Sequence, residues 1–163
     1  MRNTLISTFT LLGLVLTAAY AADPPPVKEG LWQIHTQSVD NPGNKKTEGT
    51  RSICRSHAYD VQVLAAAKKR PGCTVTNETV QGNKYTVTMH CVVMGSQADN
   101  TNVTTFQSDT AIHSENHMTY SPAMYGVAES TLVMDQKYVG SCPAGVEPGD
   151  MINADGTIIH RKR

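Results

Sequence analysis

Alternation of apolar and polar residues with a period of two recurs along this chain, and it constrains the fold more than any other feature. Residues 85–91 show it most clearly, because apolar and polar side chains there fall on opposite faces of a strand: Tyr85, Val87, Met89 and Cys91 on one, Thr86, Thr88 and His90 on the other. Similar stretches occupy residues 30–39, 47–53, 73–80, 102–108, 111–120 and 127–139. Turn sequences separate them, at 40–44, 81–83, 98–100 and 121–122. We predict a mainly β fold, either an antiparallel meander or a curved, partly closed barrel-like sheet.

One segment departs from this alternation and predicts a short helix. Ser56 is a favourable N-cap, Asp60 lies in the first turn, and the basic run 68–70 precedes Pro71 and Gly72. An acidic first turn and a basic last turn both suit the helix dipole. The predicted apolar face of this helix consists of Val61, Leu64 and Ala65.

The chain contains four cysteines, Cys54, Cys73, Cys91 and Cys142. An even number without a C-x-x-C pair is typical of structural disulfides in an exported protein, and not of a zinc ribbon or a redox motif. Of the possible pairings we favour Cys54 with Cys73 and Cys91 with Cys142, because each joins the ends of segments that a meander brings together.

The N-terminus indicates export. Arg2 precedes an apolar run that is too short to span a membrane, and Ala19 and Ala21 are the small residues that signal peptidase accepts. We therefore predict a signal peptide over residues 1–21, cleaved after Ala21, and a periplasmic or secreted protein without a membrane span. The remaining length predicts one β-rich domain over residues 22–151 and a loose tail over 152–163.

Charge and motifs exclude several classes of function. Lys and Arg together number 14 and Asp and Glu together also number 14, so no excess of positive charge favours nucleic acid as a partner. The sequence lacks the glycine-rich phosphate and dinucleotide loops, the G-x-S-x-G elbow and the H-E-x-x-H helix. It therefore predicts no cofactor and no catalytic residue, without excluding an enzyme.

The segment 113–117 is the strongest candidate for a metal site, because His113, Glu115 and His117 share one face of a strand. Residues four apart on a strand are separated by about 13 Å, so the two histidines are too far apart to hold one ion. A site would need Glu115 and His117 together with a residue of a neighbouring strand, for which His90 is the candidate. The alternative interpretation is a solvated polar face.

Trp32 is the candidate ligand-binding residue. A single tryptophan near the start of the first predicted strand could line a ligand pocket, or it could pack as a plug against the end of the sheet. Both interpretations remain open at this point.

The chain resembles the exported bacterial family catalogued as domain of unknown function 3617. The resemblance depends on residues 29–32, on the four cysteines, and on residues 138–143 and 147–150. The sequence departs from the family at Gln33, where members often carry a Glu. The resemblance implies a periplasmic setting and brings no activity, substrate or catalytic residue.

The function predicted from these observations is a non-catalytic binding or accessory module for a small molecule or an envelope component. A structural or protein-interaction role in the envelope is the first alternative. A metal-assisted hydrolase that uses Glu115 and His117 is the second.

Overall fold

The alternating segments pair into one antiparallel sheet. A computed structural model describes residues 24–161, so the predicted signal peptide lies outside the described residues. The elements in chain order are β1 (Gly30–Asn41), β2 (Lys45–Arg55), α1 (His57–Lys68), β3 (Cys73–Gln81), β4 (Lys84–Val93), β5 (Ser96–Ser108), β6 (Ala111–Met124), β7 (Val127–Gly140), β8 (Met151–Asn153) and β9 (Ile158–Ile159).

The strands of the described chain follow the order β3-β4-β5-β6-β7-β1-β2-β8-β9. The two edge strands, β3 and β9, are not paired with each other, so the sheet is open. The predicted mainly β, antiparallel fold with one short helix is confirmed.

Two predicted turns are wrong. Residues 98–100 lie inside β5 and residues 121–122 lie inside β6. Asp99 and Asn100 resemble turn residues, but they pair with His90 and Met89 in the β4–β5 ladder. Backbone pairing with two neighbouring strands therefore overrides the local turn preference of these residues.

The register assigns the side chains to two faces. The first, which we call the Trp32 face, includes Trp32, Ile34, Tyr85, Ala98, Ile112 and Ser114, all of which are buried. The second, the His113 face, carries His35, His90, His113, Glu115 and His117. The small hydrophobic core of the sheet therefore lies on the Trp32 face.

The antiparallel order also defines two ends of the sheet. The turns β1–β2, β4–β5 and β6–β7 lie at one end, which we call the Tyr125 end. The start of β1, the end of β7 and the end of β2 lie at the opposite, Trp32 end. Because α1 leaves β2 and is followed by the start of β3, the helix runs from the Trp32 end towards the Tyr125 end.

The N-cap of α1 is as predicted, since the Ser56 hydroxyl accepts a hydrogen bond from the Tyr59 backbone N–H at 3.2 Å. The predicted apolar face differs from the structure, because no residue of the helix is buried. Val61 and Ala65 are exposed and Leu64 is half-buried. The helix is held at its two ends, as described below, and does not bury a continuous stripe.

The predicted cysteine pairing is wrong. The disulfides join Cys54 to Cys142 and Cys73 to Cys91. Helix α1 carries the chain from β2 to the far edge strand β3, so five strands of the sheet separate Cys54 from Cys73. Cys73 instead lies directly opposite Cys91 in the β3–β4 ladder, with their Cα atoms 4.0 Å apart.

The predicted loose tail also differs from the structure. Met151–Asn153 pair with β2 as β8, and Ile158–Ile159 pair with β8 as β9. The C-terminal segment is thus added to the sheet through the free edge of β2, which the sequence pattern did not indicate.

Candidate functional site

Trp32 packs as a plug at the Trp32 end and has no exposed surface. Its indole N–H donates to the Lys28 carbonyl at 2.8 Å, and its ring meets Tyr138 edge-on with centroids 6.2 Å apart. The Arg55 guanidinium lies over the indole ring at 4.9 Å. Of the two interpretations of Trp32, these contacts favour packing, because a side chain without exposed surface cannot contact a ligand in this conformation.

Arg55 also connects the start of the helix to the Trp32 face. Its guanidinium donates to the Asp60 carboxylate in α1 at 3.0 Å and to the side-chain oxygen of Gln136 in β7 at 3.2 Å. Gln136 belongs to the Trp32 face, since it lies opposite Ile34. The first turn of α1 is therefore fastened to this face.

The last turn of the helix is fastened to the same face at its other edge. The Lys68 ammonium donates to the Glu78 carboxylate in β3, which also accepts the Tyr85 hydroxyl at 2.6 Å. These two donors, Lys68 foremost, lower the pKa of Glu78. Because both ends of α1 bind side chains of the Trp32 face, the helix crosses this face from β7 to β3.

The part of the Trp32 face between these two fastenings combines apolar and amide side chains, and we call it the central Trp32 face. Its apolar members are half-buried: Val87, Met89, Phe106, Met118, Leu132 and Met134. Among them, Asn100 and Asn116 bond to each other through their side chains, with the shorter distance 3.0 Å. Asn102 accepts the Thr104 hydroxyl at 3.0 Å.

The central Trp32 face combines adaptable apolar side chains with hydrogen-bonding groups. Methionine side chains adapt to irregular ligand shapes, and each amide offers both donors and an acceptor. Within residues 24–161, no group of three or more His, Cys, Asp or Glu side chains is placed to hold a metal ion.

A polar cluster marks the Tyr125 end of the central Trp32 face. Burial raises the pKa of Tyr120, the negative charge of Asp40 raises it further, and the positive charge of Arg70 opposes them. Asp40 accepts the Ser130 hydroxyl at 2.7 Å. A phenol, a carboxylate and a guanidinium from β6, β1 and the turn after α1 therefore lie near one another where the face reaches this end.

The residues predicted as a metal site are not brought together. Their partners are separate: His90 contacts Asp99 at 2.8 Å, Glu115 contacts His113 at 3.1 Å, and His117 contacts Glu129 at 2.8 Å. His117 lies opposite Thr101, which lies opposite Thr88, so His90 is two residues away from that row. The register therefore gives each histidine its own carboxylate.

His113 lies between two carboxylates on the His113 face. It contacts the Asp135 carboxylate at 2.7 Å in addition to Glu115. The hydrogen bonds to Asp135 and then to Glu115 raise the pKa of His113.

A groove of about 560 Å³, which the sequence did not predict, separates the start of α1 from the C-terminal segment. Tyr59, Gln62, Pro148 and Arg161 are among its lining residues. The Arg161 guanidinium lies over the Tyr59 ring at 5.1 Å, so side chains from within the molecule occupy one wall.

Asp150 orders this C-terminal segment. Its buried carboxylate accepts the Arg161 backbone N–H at 2.9 Å and contacts the His160 ring at 2.9 Å. These bonds, that of Arg161 foremost, lower the pKa of Asp150. The only sign of this role of Asp150 in the sequence was the motif at residues 147–150, which supported the family resemblance but did not indicate what Asp150 binds.

The central Trp32 face was also missed. Asparagine is typical of turns and strand ends, so these residues did not indicate a site. The alternation alone does not show that amides share the buried side of the sheet with methionines. Among the described helices, none has the length and apolar character that crossing a bilayer requires.

Comparisons with known proteins give structural likenesses and a family match. The S-type phycobiliprotein lyase CPES from Guillardia theta is similar over 69% of this chain and 89% of that chain, with 10% sequence identity and a TM-score of 0.39. No curated protein matches the sequence. Residues 27–142 match the family described as "Protein of unknown function (DUF3617)", which confirms the resemblance found in the sequence. The chain therefore belongs to this family.

Proposed function

We propose that this protein is an exported, non-catalytic module that binds an amphipathic small molecule on the central Trp32 face, beneath helix α1. The observation that carries the proposal is the half-burial of six large apolar side chains on the face where the core of the sheet lies. Helix α1 crosses this face but buries none of its own residues against it.

Burial of this surface by a ligand supplies the driving force. At about 25 cal/mol per Å², a ligand that removes roughly 200 Å² of apolar surface from water gains about 5 kcal/mol from this term. Leu132, Met134 and Phe106 offer such surface on adjacent or nearby strands.

Polar groups on the same face would orient the ligand. Asn100, Asn102 and Asn116 lie among the apolar side chains, and Tyr120, Asp40 and Arg70 lie towards the Tyr125 end. A molecule with an apolar body and a hydrogen-bonding head group fits this distribution.

The compartment belongs to the same proposal. Two disulfides fit an oxidising environment, and the sequence predicts a signal peptide over residues 1–21. We infer that the mature protein acts in the periplasm.

The test is binding of the fluorescent amphiphile 1-anilinonaphthalene-8-sulfonate to the purified mature protein. Leu132 and Val133 are neighbours in β7, are both half-buried, and lie on opposite faces. Leu132→Lys places a charge on the central Trp32 face and should weaken probe binding at least about tenfold, a loss of about 1.4 kcal/mol. Val133→Lys is the matched control and should leave probe binding within about twofold.

Equal loss in both variants, with both still folded by circular dichroism, would contradict the assignment of the site. Absence of probe binding by the wild-type protein would contradict the binding function itself.

A further inference from the structure

Two large apolar side chains are exposed at the tips of neighbouring hairpins at the Tyr125 end. Met94 is 77% exposed in the β4–β5 turn, and Tyr125 is 83% exposed in the β6–β7 turn. The Tyr125 hydroxyl donates to the Met94 sulfur at 3.2 Å, so the two tips touch. Val92, 58% exposed, lies two residues before Met94 and extends this apolar patch.

Both residues occupy backbone positions that are unfavourable for them. Met94 has φ of 52° and Tyr125 has φ of 50°, and each precedes a glycine that also has positive φ. Two-residue hairpin turns of this kind favour Asn or Asp before Gly, because bulky side chains disfavour the left-handed region. The fold therefore accepts strain at two positions whose side chains contribute little burial to it.

Positive charge flanks these tips on two sides of the sheet. Lys45 and Lys46 begin β2 directly after the β1–β2 turn, and Lys69 and Arg70 follow the last turn of α1 at the same end. All four are exposed.

The acidic residues nearest this end have partners within the fold. Asp40 accepts Ser130, Asp99 contacts His90, and Glu129 contacts His117. The four exposed basic side chains outnumber these three carboxylates, so the Tyr125 end combines a small apolar patch with an excess of basic residues.

We propose that the Tyr125 end docks on the surface of a bilayer that contains anionic lipid. Met94, Tyr125 and Val92 enter the interfacial region, and Lys45, Lys46, Lys69 and Arg70 contact the head groups. Tyrosine prefers the membrane interface, and lysine and arginine are attracted to anionic leaflets.

The size of the patch favours a bilayer over a protein partner. A stable protein interface buries about 800 Å² on each partner, whereas the apolar surface here comes from three side chains on two hairpins. A bilayer requires no complementary shape, so a small apolar patch flanked by basic residues is sufficient.

Docking does not depend on the proposed ligand site. If both hold, the end of the central Trp32 face marked by Tyr120, Asp40 and Arg70 faces the membrane, where an amphipathic ligand could be exchanged.

The experiment is co-sedimentation of the mature protein with vesicles of phosphatidylcholine alone, and with vesicles of phosphatidylcholine and phosphatidylglycerol in equal parts. The test variant combines Met94→Asn and Tyr125→Asn, because asparagine is favoured at both left-handed positions and the fold is kept. The control is Val139→Asn, which changes a 49% exposed residue near the end of β7, at the Trp32 end.

We expect wild-type and control proteins to bind the mixed vesicles at least about tenfold more strongly than phosphatidylcholine alone, in a salt-sensitive manner. The Met94→Asn/Tyr125→Asn variant should lose about tenfold or more of this binding. It should still bind 1-anilinonaphthalene-8-sulfonate in solution as the wild-type protein does, which separates this proposal from the preceding one.

Equal vesicle binding by the variant, or no preference for the anionic vesicles, would overturn the proposal. So would a wild-type dimer in size-exclusion chromatography that the variant loses, since the tips would then contact a second copy of the chain.

Discussion

The two ends of this sheet are built from the same strands, yet one is closed and the other is open. At the Trp32 end, the buried Trp32 packs against Tyr138, and the Cys54–Cys142 disulfide joins β2 to the segment after β7. At the Tyr125 end, hairpin tips carry exposed Met94 and Tyr125. Strand pairing holds both ends, and at the Trp32 end the segments before β1 and after β7 add the contacts that bury Trp32 and a disulfide. We infer that stability is concentrated at the Trp32 end, and that membrane docking belongs to the other.

Removal of each disulfide gives the largest expected effects and separates the two ends. The bond between Cys54 and Cys142 spans 88 residues and that between Cys73 and Cys91 spans 18. By loop entropy their loss costs about 4.6 and about 3.2 kcal/mol of unfolding free energy, respectively. Chemical denaturation of Cys54→Ser/Cys142→Ser and of Cys73→Ser/Cys91→Ser measures both.

Peptide mapping without reduction checks the pairing on which this comparison depends. A peptide that links Cys54 to Cys73 would contradict it. A smaller loss for the Cys54–Cys142 bond than for the Cys73–Cys91 bond would contradict loop entropy as the source of these losses.

Substitution of one aromatic residue at each end gives the next effect. Trp32→Ala removes a fully buried ring and should lower the free energy of unfolding by about 3–5 kcal/mol. Tyr125→Asn removes an exposed ring from a left-handed position and should leave this free energy unchanged or raise it by up to about 1 kcal/mol. Urea denaturation monitored by circular dichroism compares the two variants. Similar losses of unfolding free energy for both would contradict a larger contribution of the Trp32 end to stability.

The smallest expected effect is a dependence of stability on pH that originates at His113. Because the folded-state pKa of His113 lies above its ordinary value, its contribution is complete below about pH 6.5 and is lost as the pH rises through the raised pKa. Asp135→Asn removes the foremost cause of the raised pKa of His113. The free energy of unfolding below about pH 6.5 should therefore fall, by less than about 1 kcal/mol.

Thermal unfolding of the wild-type protein and Asp135→Asn, followed from pH 5.5 to pH 8.5, measures this difference. The two curves should converge at the alkaline side. A difference that grows with rising pH would contradict the assignment to His113.

The local signals in the sequence predicted local structure well. Alternation in residues 85–91 gave a strand that extends over Lys84–Val93, and Ser56 caps α1. Local signals were misleading where strand pairing decides the structure. Residues 98–100 resemble a turn but continue β5, because ladders on both sides satisfy their backbone groups.

The candidate sites divide in the same manner. Trp32 was identified as a notable residue, but its complete burial depends on Lys28, Arg55 and Tyr138, which are distributed over much of the chain. The metal site predicted at His90, Glu115 and His117 depended on an unknown register, and the actual register gives these residues separate partners.

The sequence by itself determined the mainly β character, helix α1 and the presence of cysteines suited to disulfides, since each depends on residues close together in the chain. The tertiary structure decided the position of β1 between β7 and β2, the cysteine partners and the amide-rich central Trp32 face. The physical reason is that strand order follows from packing between distant segments. Once α1 carries the chain across the Trp32 face, Cys73 meets Cys91 and Cys54 is left to meet Cys142.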